Sequence, residues 1–270
     1  MPTSIKRRAD LARAKSVAST QFGLLSWGWF VLEVRGLNQS YGQSHTLWDI
    51  ALDMPQGACM SLIGRNGVGK TTLLACLMGL IKIDSGTITF AGRDLTRARA
   101  EARAPLGIGF VPQGRMIFPL LTVEENLRVG LPSAGRPATT EGPTVRRTVV
   151  PDLVFELFPV LKSMRQRRGG DLSGGQQQQL AIGRALVLEP SLLILDEPTE
   201  GIQPSIVKEI GEVIDRLRRE LKMTVLVVEQ KLPFVRRVCD RFCIMDKGRI
   251  VSTGAMPELT EDLVRTYLSV

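Results

Sequence analysis

The stretch from Gly64 to Thr71 reads Gly-Arg-Asn-Gly-Val-Gly-Lys-Thr, and residues of these types at this spacing bind phosphate. Glycines let backbone N–H groups curl around an anion, and the helix predicted to begin at Lys70 adds the partial positive charge of its N-terminus. We expect Lys70 to reach the β- and γ-phosphates of a nucleotide and the Thr71 hydroxyl to bind Mg²⁺. The alternative is a glycine-rich turn without a ligand. The predicted nucleotide-binding residues of this loop are Gly64, Asn66, Gly67, Gly69, Lys70, Thr71 and Thr72.

An acidic pair, Asp196 and Glu197, follows the apolar run of residues 192–195. Neighbouring residues of a strand point to opposite sides, so the two carboxylates need not share a role. We expect Asp196 to hold the magnesium shell and Glu197 to polarise an attacking water as general base. The alternative is a surface acidic pair after a buried strand.

A second anion site is indicated by the segment Leu-Ser-Gly-Gly-Gln at residues 172–176, which opens a helix predicted to run to Leu188. Ser173 is a favoured N-cap residue, and the two glycines expose N–H groups at a helix N-terminus. One subunit cannot fold both anion sites around one nucleotide. We therefore expect two subunits arranged head to tail, with four contributing residues: Ser173, Gly174, Gly175 and Gln176.

These groups need a scaffold, and the apolar runs predict which elements supply it. Strands are predicted at residues 32–34, 47–54, 58–63, 88–90, 108–111, 192–195, 224–228, 242–245 and 249–252. The first two read as antiparallel edge strands and the last two as a hairpin. Helices are predicted at 70–80, over 123–161 around a loop at 131–150, and at the C-terminus over 256–270. The predicted fold is α/β, with a mixed sheet core, an antiparallel β subdomain and an α-helical subdomain of about residues 115–170.

Composition narrows the partners. The chain has 270 residues and a net charge of +8, spread along its length, which suits a solvated surface better than nucleic-acid binding. Its four cysteines form no CxxC pair, so we do not expect a zinc site. We expect the cysteines to be reduced thiols. No run reaches the roughly 18–20 apolar residues of a membrane span, so any membrane role requires docking to helices of another protein.

The first residues differ from the rest, because Lys6, Arg7 and Arg8 precede an apolar run from Phe22 to Leu32. This resembles a signal peptide, but no small-residue cleavage site follows. We expect residues 1–31 to be a flexible, dispensable arm. An alternative is that translation begins at Val31 and that the arm is not native.

The chain resembles the ABC ATPase family over residues 32–255. The resemblance rests on the phosphate loop, the segment Leu-Ser-Gly-Gly-Gln and the acidic pair, which follow one another in the order and at the spacing typical of that family. The resemblance implies ATP with Mg²⁺ and an ATP-hydrolysing dimer. It also implies that Tyr41 stacks on adenine, with a core tyrosine as the alternative. Gln113 would touch Mg²⁺ and water and sense the permease, with a polar loop residue as the alternative. Residues 114–121 and the helices after them would form the groove for a permease coupling helix.

The sequence departs from the family pattern at two positions. Where the family usually has a histidine near the γ-phosphate, this chain has Gln230, and its only histidine, His45, lies far upstream. An amide hydrogen-bonds phosphate or water but takes no proton near neutral pH, so base catalysis falls to Glu197. Gln203 replaces the usual aspartate and removes a charged contact across the dimer.

At both positions the chain resembles the branch of the family that imports branched-chain amino acids and amides. Residues 113–119, 170–179 and 197–205 look most like its urea-import subgroup, with branched-chain amino acids second. The implied partners are two permease subunits, a related ATPase subunit or a second copy of this chain, and indirectly a solute-binding protein. The implied location is peripheral, at the cytoplasmic face of the inner membrane. A non-transport ABC ATPase acting on ribosomes or nucleic acid, and a regulatory module without turnover, are the competing functions.

Overall fold

The computed structural model describes residues 30–131 and 149–268. Nearly all of the predicted arm (residues 1–29), most of the predicted loop (residues 132–148) and the end of the predicted C-terminal helix (residues 269–270) lie outside the described residues.

Four strands form an antiparallel sheet in the order β2-β1-β4-β5. The strands are β1 (Phe30–Tyr41), β2 (Ser44–Pro55), β4 (Ser85–Phe90) and β5 (Arg93–Asp94). Leu32 pairs with Met54 of β2 on one side and with Phe90 of β4 on the other. The antiparallel pairing of β1 with β2 is confirmed. The prediction that both are edge strands is wrong for β1, because the distant strand β4 covers its other side.

Six strands form the central sheet in the order β10-β9-β3-β8-β7-β6. They are β3 (Cys59–Ile63), β6 (Ile108–Val111), β7 (Leu192–Asp196), β8 (Thr224–Val228), β9 (Arg241–Asp246) and β10 (Arg249–Ala255). All neighbours are parallel except the β9–β10 hairpin, as predicted. The carboxyl ends of β3, β8, β7 and β6 therefore meet at one edge of the sheet, where α/β proteins place their ligands.

Helices cover the central sheet and bear the signature segment. They are α1 (Lys70–Leu77), α2 (Ala100–Arg103), α3 (Val123–Val129), α4 (Asp152–Leu157), α5 (Pro159–Ser163), α6 (Gly174–Leu186), α7 (Pro204–Arg219), α8 (Leu232–Val238) and α9 (Glu261–Tyr267). Short 3₁₀ turns lie at Gly169–Asp171 and Met256–Glu258. α7 is absent from the helices predicted above, although Pro204 in its first turn and three arginines in its last turn are typical helix boundary signals.

Alternate residues of the central strands pack into two hydrophobic cores. Val225 and Val227 of β8 face the core built with α3–α8, whereas Leu226 and Val228 face the core shared with the antiparallel sheet and α1. The runs of β3, β7 and β8 are continuously apolar because both faces of the sheet are covered. Within the described residues, no helix is long and apolar enough to span a bilayer.

One buried side chain holds the segment between β6 and α3. The Asn126 carboxamide accepts from Phe118 N at 2.8 Å and donates to the carbonyls of Phe118, Leu121 and Thr122 at 2.9, 3.1 and 2.9 Å. Asn126 is fully buried, so no water would replace these partners.

We predict that Asn126→Ala lowers the free energy of unfolding by about 1–3 kcal/mol, because it leaves the Phe118 N–H without its partner and removes the bonds of the carboxamide to three carbonyls. Urea unfolding followed by circular dichroism measures the change. Asn38→Ala is the matched control, since its bonds to Gly36 O and Ser85 Oγ lie nearer the surface. An equal loss in both variants would contradict this assignment.

Candidate functional site

The phosphate-binding loop lies between β3 and α1, the context that the sequence predicted. Gly69 is the N-cap of α1 with φ 105°, a left-handed conformation that favours glycine. At Gly64 a Cβ atom would lie 2.4 Å from Met245 O, so only glycine fits against β9. Thr71 and Thr72 follow in the first turn of α1, with Thr71 exposed and Thr72 half-buried.

Lys70 closes this loop on itself. Its Nζ donates to the carbonyls of Gly64 and Arg65, both at 2.8 Å, and the residue is 6% exposed. Burial lowers the pKa of Lys70, while the nearby carboxylates of Glu197 and Asp196 act to raise it. The amine is therefore held by two carbonyls of the loop, which are weaker partners than an anion.

The two carboxylates lie where β7 ends, and they differ in environment. Asp196 is the last residue of the strand and is 4% exposed. Glu197 is half-buried and has φ 47°, the left-handed region that glycine favours, with its N–H donated to Val228 O at 2.8 Å. A non-glycine residue held there carries backbone strain, and such strain is concentrated at functional sites.

Burial raises the pKa of Asp196 to about 6, and the negative charge of Glu197 adds to the rise, while Lys70 opposes it. A divalent cation beside Asp196 would relieve this unfavourable burial. Asp196, Thr71 and Gln113 offer carboxylate, hydroxyl and amide oxygens, the ligand types that Mg²⁺ prefers. The residues present thus fit a magnesium ion.

Gln230 follows β8 and joins the loop to the acidic pair. Its Nε2 donates to Asn66 Oδ1 at 2.7 Å and to Glu197 Oε1 at 2.8 Å. The structure therefore brings together three residues that are far apart in sequence, and it places an amide where the family pattern has a histidine.

Gln113 lies two residues after the end of β6, on the other side of Glu197. Its Nε2 donates to Glu197 Oε2 at 3.3 Å and to Glu200 Oε2 at 3.0 Å. Both oxygens of the Glu197 carboxylate are thus occupied by amide donors from neighbouring strand ends, which orients the group.

The signature turn has the predicted capping geometry. Ser173 Oγ accepts from Gln176 N at 3.3 Å, and Ser173 N donates to Gln176 Oε1 at 3.0 Å, forming a capping box. A Cβ atom on Gly175 would lie 2.9 Å from Ile206 of α7, so this glycine allows close helix packing, and Gly174 faces the Arg115 guanidinium. Within residues 30–131 and 149–268, no hydrogen bond links this turn to the phosphate-binding loop.

Tyr41 lies at the end of β1 and is 54% exposed, so the alternative of a core tyrosine is wrong. The β1–β2 hairpin that carries it approaches the phosphate-binding loop, since a Cβ on Gly69 would lie 2.9 Å from Leu47 Cδ2. His45, in the same hairpin, stacks on Trp48 with ring centroids 3.5 Å apart.

Exposed apolar side chains cluster after Gln113, within the predicted permease groove. Met116 is 67% exposed, Phe118 45% and Leu120 81%. Arg184 of α6 lies over the Phe118 ring at 5.2 Å and donates to Met116 O at 2.7 Å. This contact joins the apolar surface to the signature helix.

Sequence reasoning missed one buried carboxylate near the site. Glu229 lies directly after β8, is 4% exposed, and binds Thr199, which follows the acidic pair by two residues. The available signal was a charged residue immediately after a fully apolar strand, a position where a buried carboxylate needs dedicated donors.

Comparison with known proteins identifies the class. The family model of the ABC transporter matches residues 47–200, and the chain belongs to this family. It is 42% identical to the high-affinity branched-chain amino acid transport ATP-binding protein BraG of Pseudomonas aeruginosa, over 80% of this chain and 89% of that protein. It is 35% identical to the probable branched-chain amino acid transport ATP-binding protein LivF of Archaeoglobus fulgidus, over 83% of this chain and 92% of that protein.

Solved structures agree with the fold. The cbiO1 protein of Clostridium perfringens, part of an ABC transporter complex, matches with a TM-score of 0.72 and 28% identity, covering 88% of this chain and 94% of that one. A nucleotide-free ATP-binding cassette matches with a TM-score of 0.71 and 25% identity, covering 89% and 96%. The predicted fold class and the predicted ATP hydrolase are confirmed.

We predict that Asp196→Asn stabilises the chain when nucleotide and Mg²⁺ are absent. The pKa of Asp196 is about 6 in the fold and 3.8 ordinarily, so its ionisation destabilises the fold progressively between these two pH values and fully above about pH 6. At pH 8 the variant gains about 1–2 kcal/mol after allowance for solvent screening, and at pH 5 it gains about half as much. Thermal unfolding in EDTA at both pH values measures this. A gain that is the same at both would contradict it.

Proposed function

We propose that this chain powers an ABC importer by binding and hydrolysing ATP with Mg²⁺ at the edge of its central sheet. The observation that carries the proposal is the Gln230 amide, which spans Asn66 of the phosphate-binding loop and Glu197 with bonds of 2.7 and 2.8 Å. Loop, acid and amide come from three strand ends, and a γ-phosphate and its attacking water need contacts of these three kinds.

Each residue then has a role. Lys70 and the loop amides bind the β- and γ-phosphates, and Tyr41 stacks on adenine from the exposed end of β1. Asp196, Thr71 and Gln113 hold Mg²⁺, which would neutralise phosphate charge when bound. Glu197 accepts the proton of the attacking water, and Gln230 orients that water or the phosphate without taking a proton.

The signature turn serves the nucleotide of a second subunit. Its amides stand at the N-terminus of the 13-residue helix α6, and it has its own capping box apart from the phosphate-binding loop. A related ATPase subunit or a second copy of this chain would receive it. ATP then closes two subunits over two nucleotides, and hydrolysis with phosphate release removes those contacts and lets them reopen.

Two permease subunits complete the transporter, with a solute-binding protein acting on them from outside. The apolar surface of Met116, Phe118 and Leu120 belongs to the helical subdomain of about residues 115–170 and suits a permease coupling helix. The chain would then sit peripherally at the cytoplasmic face of the membrane, as the ATPase domain of residues 32–255 with a C-terminal helix after it.

For the cargo we propose branched-chain amino acids, on the similarity to the BraG and LivF proteins over most of their length. Urea or a short amide is the second candidate, favoured only by the resemblance of residues 113–119 and 197–205 to urea-import ATPases. The residues of this chain face ATP and the permease, so none of them contacts the cargo.

We predict that Glu197→Gln lowers kcat at least about 100-fold while ATP still binds, because the general base is lost and the shape is kept. Gln230→Ala costs less, about 10-fold, because only hydrogen bonds are lost. Steady-state ATPase assays and equilibrium nucleotide binding measure both. Near-normal hydrolysis by Glu197→Gln would contradict the assignment of the base.

We predict that ATPase activity of the complex reconstituted in liposomes rises when its binding protein carries leucine. The matched arm is the same preparation with urea. Stimulation by urea alone would transfer the chain to the urea subgroup. If neither solute stimulates an active complex, both proposed cargoes are wrong while the ATPase assignment remains.

A further inference from the structure

The Glu229 carboxylate is surrounded by donors from two separate loops. Oε2 accepts from Thr199 Oγ1 at 2.6 Å and from Thr199 N at 3.4 Å. Oε1 accepts from the backbone N–H groups of Gln230 at 2.9 Å and Lys231 at 3.2 Å. One oxygen therefore serves the loop after β7, and the other serves the loop after β8.

A second bond ties the same two loops. Lys231 Nζ donates to Thr199 O at 2.8 Å, so Thr199 is held at its hydroxyl, its N–H and its carbonyl. Thr199 has no exposed surface and Glu229 is 4% exposed. The loop that carries Glu197 and the loop that carries Gln230 are thus clamped together by the bonds of Thr199 with Glu229 and Lys231.

The residues of this clamp are close in sequence to the two side chains that meet at the site. Glu197 precedes Thr199 by two residues, and Gln230 follows Glu229 directly. At the site, Gln230 Nε2 donates to Glu197 Oε1 at 2.8 Å and to Asn66 Oδ1 at 2.7 Å. A shift of either loop by one ångström would break contacts of this length, and misplacements of that size reduce rates strongly.

Stability alone is a poor reason for this arrangement. Burying a carboxylate costs free energy even when it is well bonded, and an apolar pair of similar volume stabilises a core at least as well. What the carboxylate adds is orientation, because it binds four donors from two loops at once.

We propose that Glu229 is a positioning residue for ATP hydrolysis, which with Thr199 fixes the Gln230 amide against Glu197 and Asn66. This proposal rests on the proposed roles of Glu197 and Gln230. It assigns no contact with nucleotide to Glu229 or Thr199.

The test is Thr199→Val, which removes the hydroxyl and keeps the shape. We expect kcat to fall about 4- to 10-fold, no further than in Gln230→Ala, with KM for ATP within about twofold of the wild type, because the phosphate-binding loop is untouched. Thr199→Ser restores the hydroxyl and returns kcat to within about twofold of the wild type. Glu229→Gln should lower kcat at least as much as Thr199→Val does, since one acceptor oxygen becomes a donor group.

Two comparisons separate positioning from a loss of stability. The matched control is Thr224→Val at the opposite end of β8, where a fully buried threonine hydroxyl accepts from Gly57 N at 2.9 Å. It should lower Tm with kcat unchanged. In a Gln230→Ala background, Thr199→Val should reduce kcat by less than about twofold, because the amide that it positions is already gone.

The proposal is overturned if Thr199→Val leaves kcat within twofold of the wild type, or if its effect is undiminished in the Gln230→Ala background. It is also overturned if Thr224→Val lowers kcat as much as Thr199→Val does. Failure of the proposed function has a different signature, since Glu197→Gln and Gln230→Ala would then themselves retain wild-type turnover.

Discussion

The pairing register of three parallel strands sets the geometry on which the site depends. Val228 of β8 pairs with Leu62 of β3 on one side and with Asp196 of β7 on the other. The three strands therefore end at the same level, and the next residues of each chain segment leave the sheet together. Because side chains alternate, a slip of one residue would turn Asp196 into the opposite core and separate Glu197 from Gln230.

This convergence creates an excess of negative charge that a bound cation can neutralise. Asp196, Glu197 and Glu229 lie near one buried amine, that of Lys70, which all three influence. Burial with the charge of Glu197 raises the pKa of Asp196 to about 6, so the site favours a bound cation. Glu229 differs from the other two, since donors of two loops surround its carboxylate. In the proposed roles, Asp196 and Glu197 serve the reaction and Glu229 holds the two loops.

Sequence predicted what local patterns encode. The loop from Gly64 to Lys70, the Ser173 cap and the apolar strands β3, β7 and β8 depend on contiguous residues, and the structure has them where they were expected. The placement of β4 beside β1, and the bonds from Glu229 to Thr199, depend on pairings between distant segments. Periodicity carries no information on such partners, so the sequence predicts β1 as an edge strand and assigns no role to Glu229.

The central claim is that one chain holds two incomplete halves of different ATP sites. Mixing full-length Lys70→Ala chains with full-length Ser173→Arg chains tests it most directly. Each variant alone has no intact site, but a head-to-tail pair of the two contains one phosphate-binding loop facing one unaltered signature turn. We expect the mixture to recover a substantial part of the wild-type ATPase rate, measured at equal total protein with both variants separately inactive. A mixture as inactive as its components, under conditions in which the wild-type chain alone hydrolyses ATP, would contradict the account.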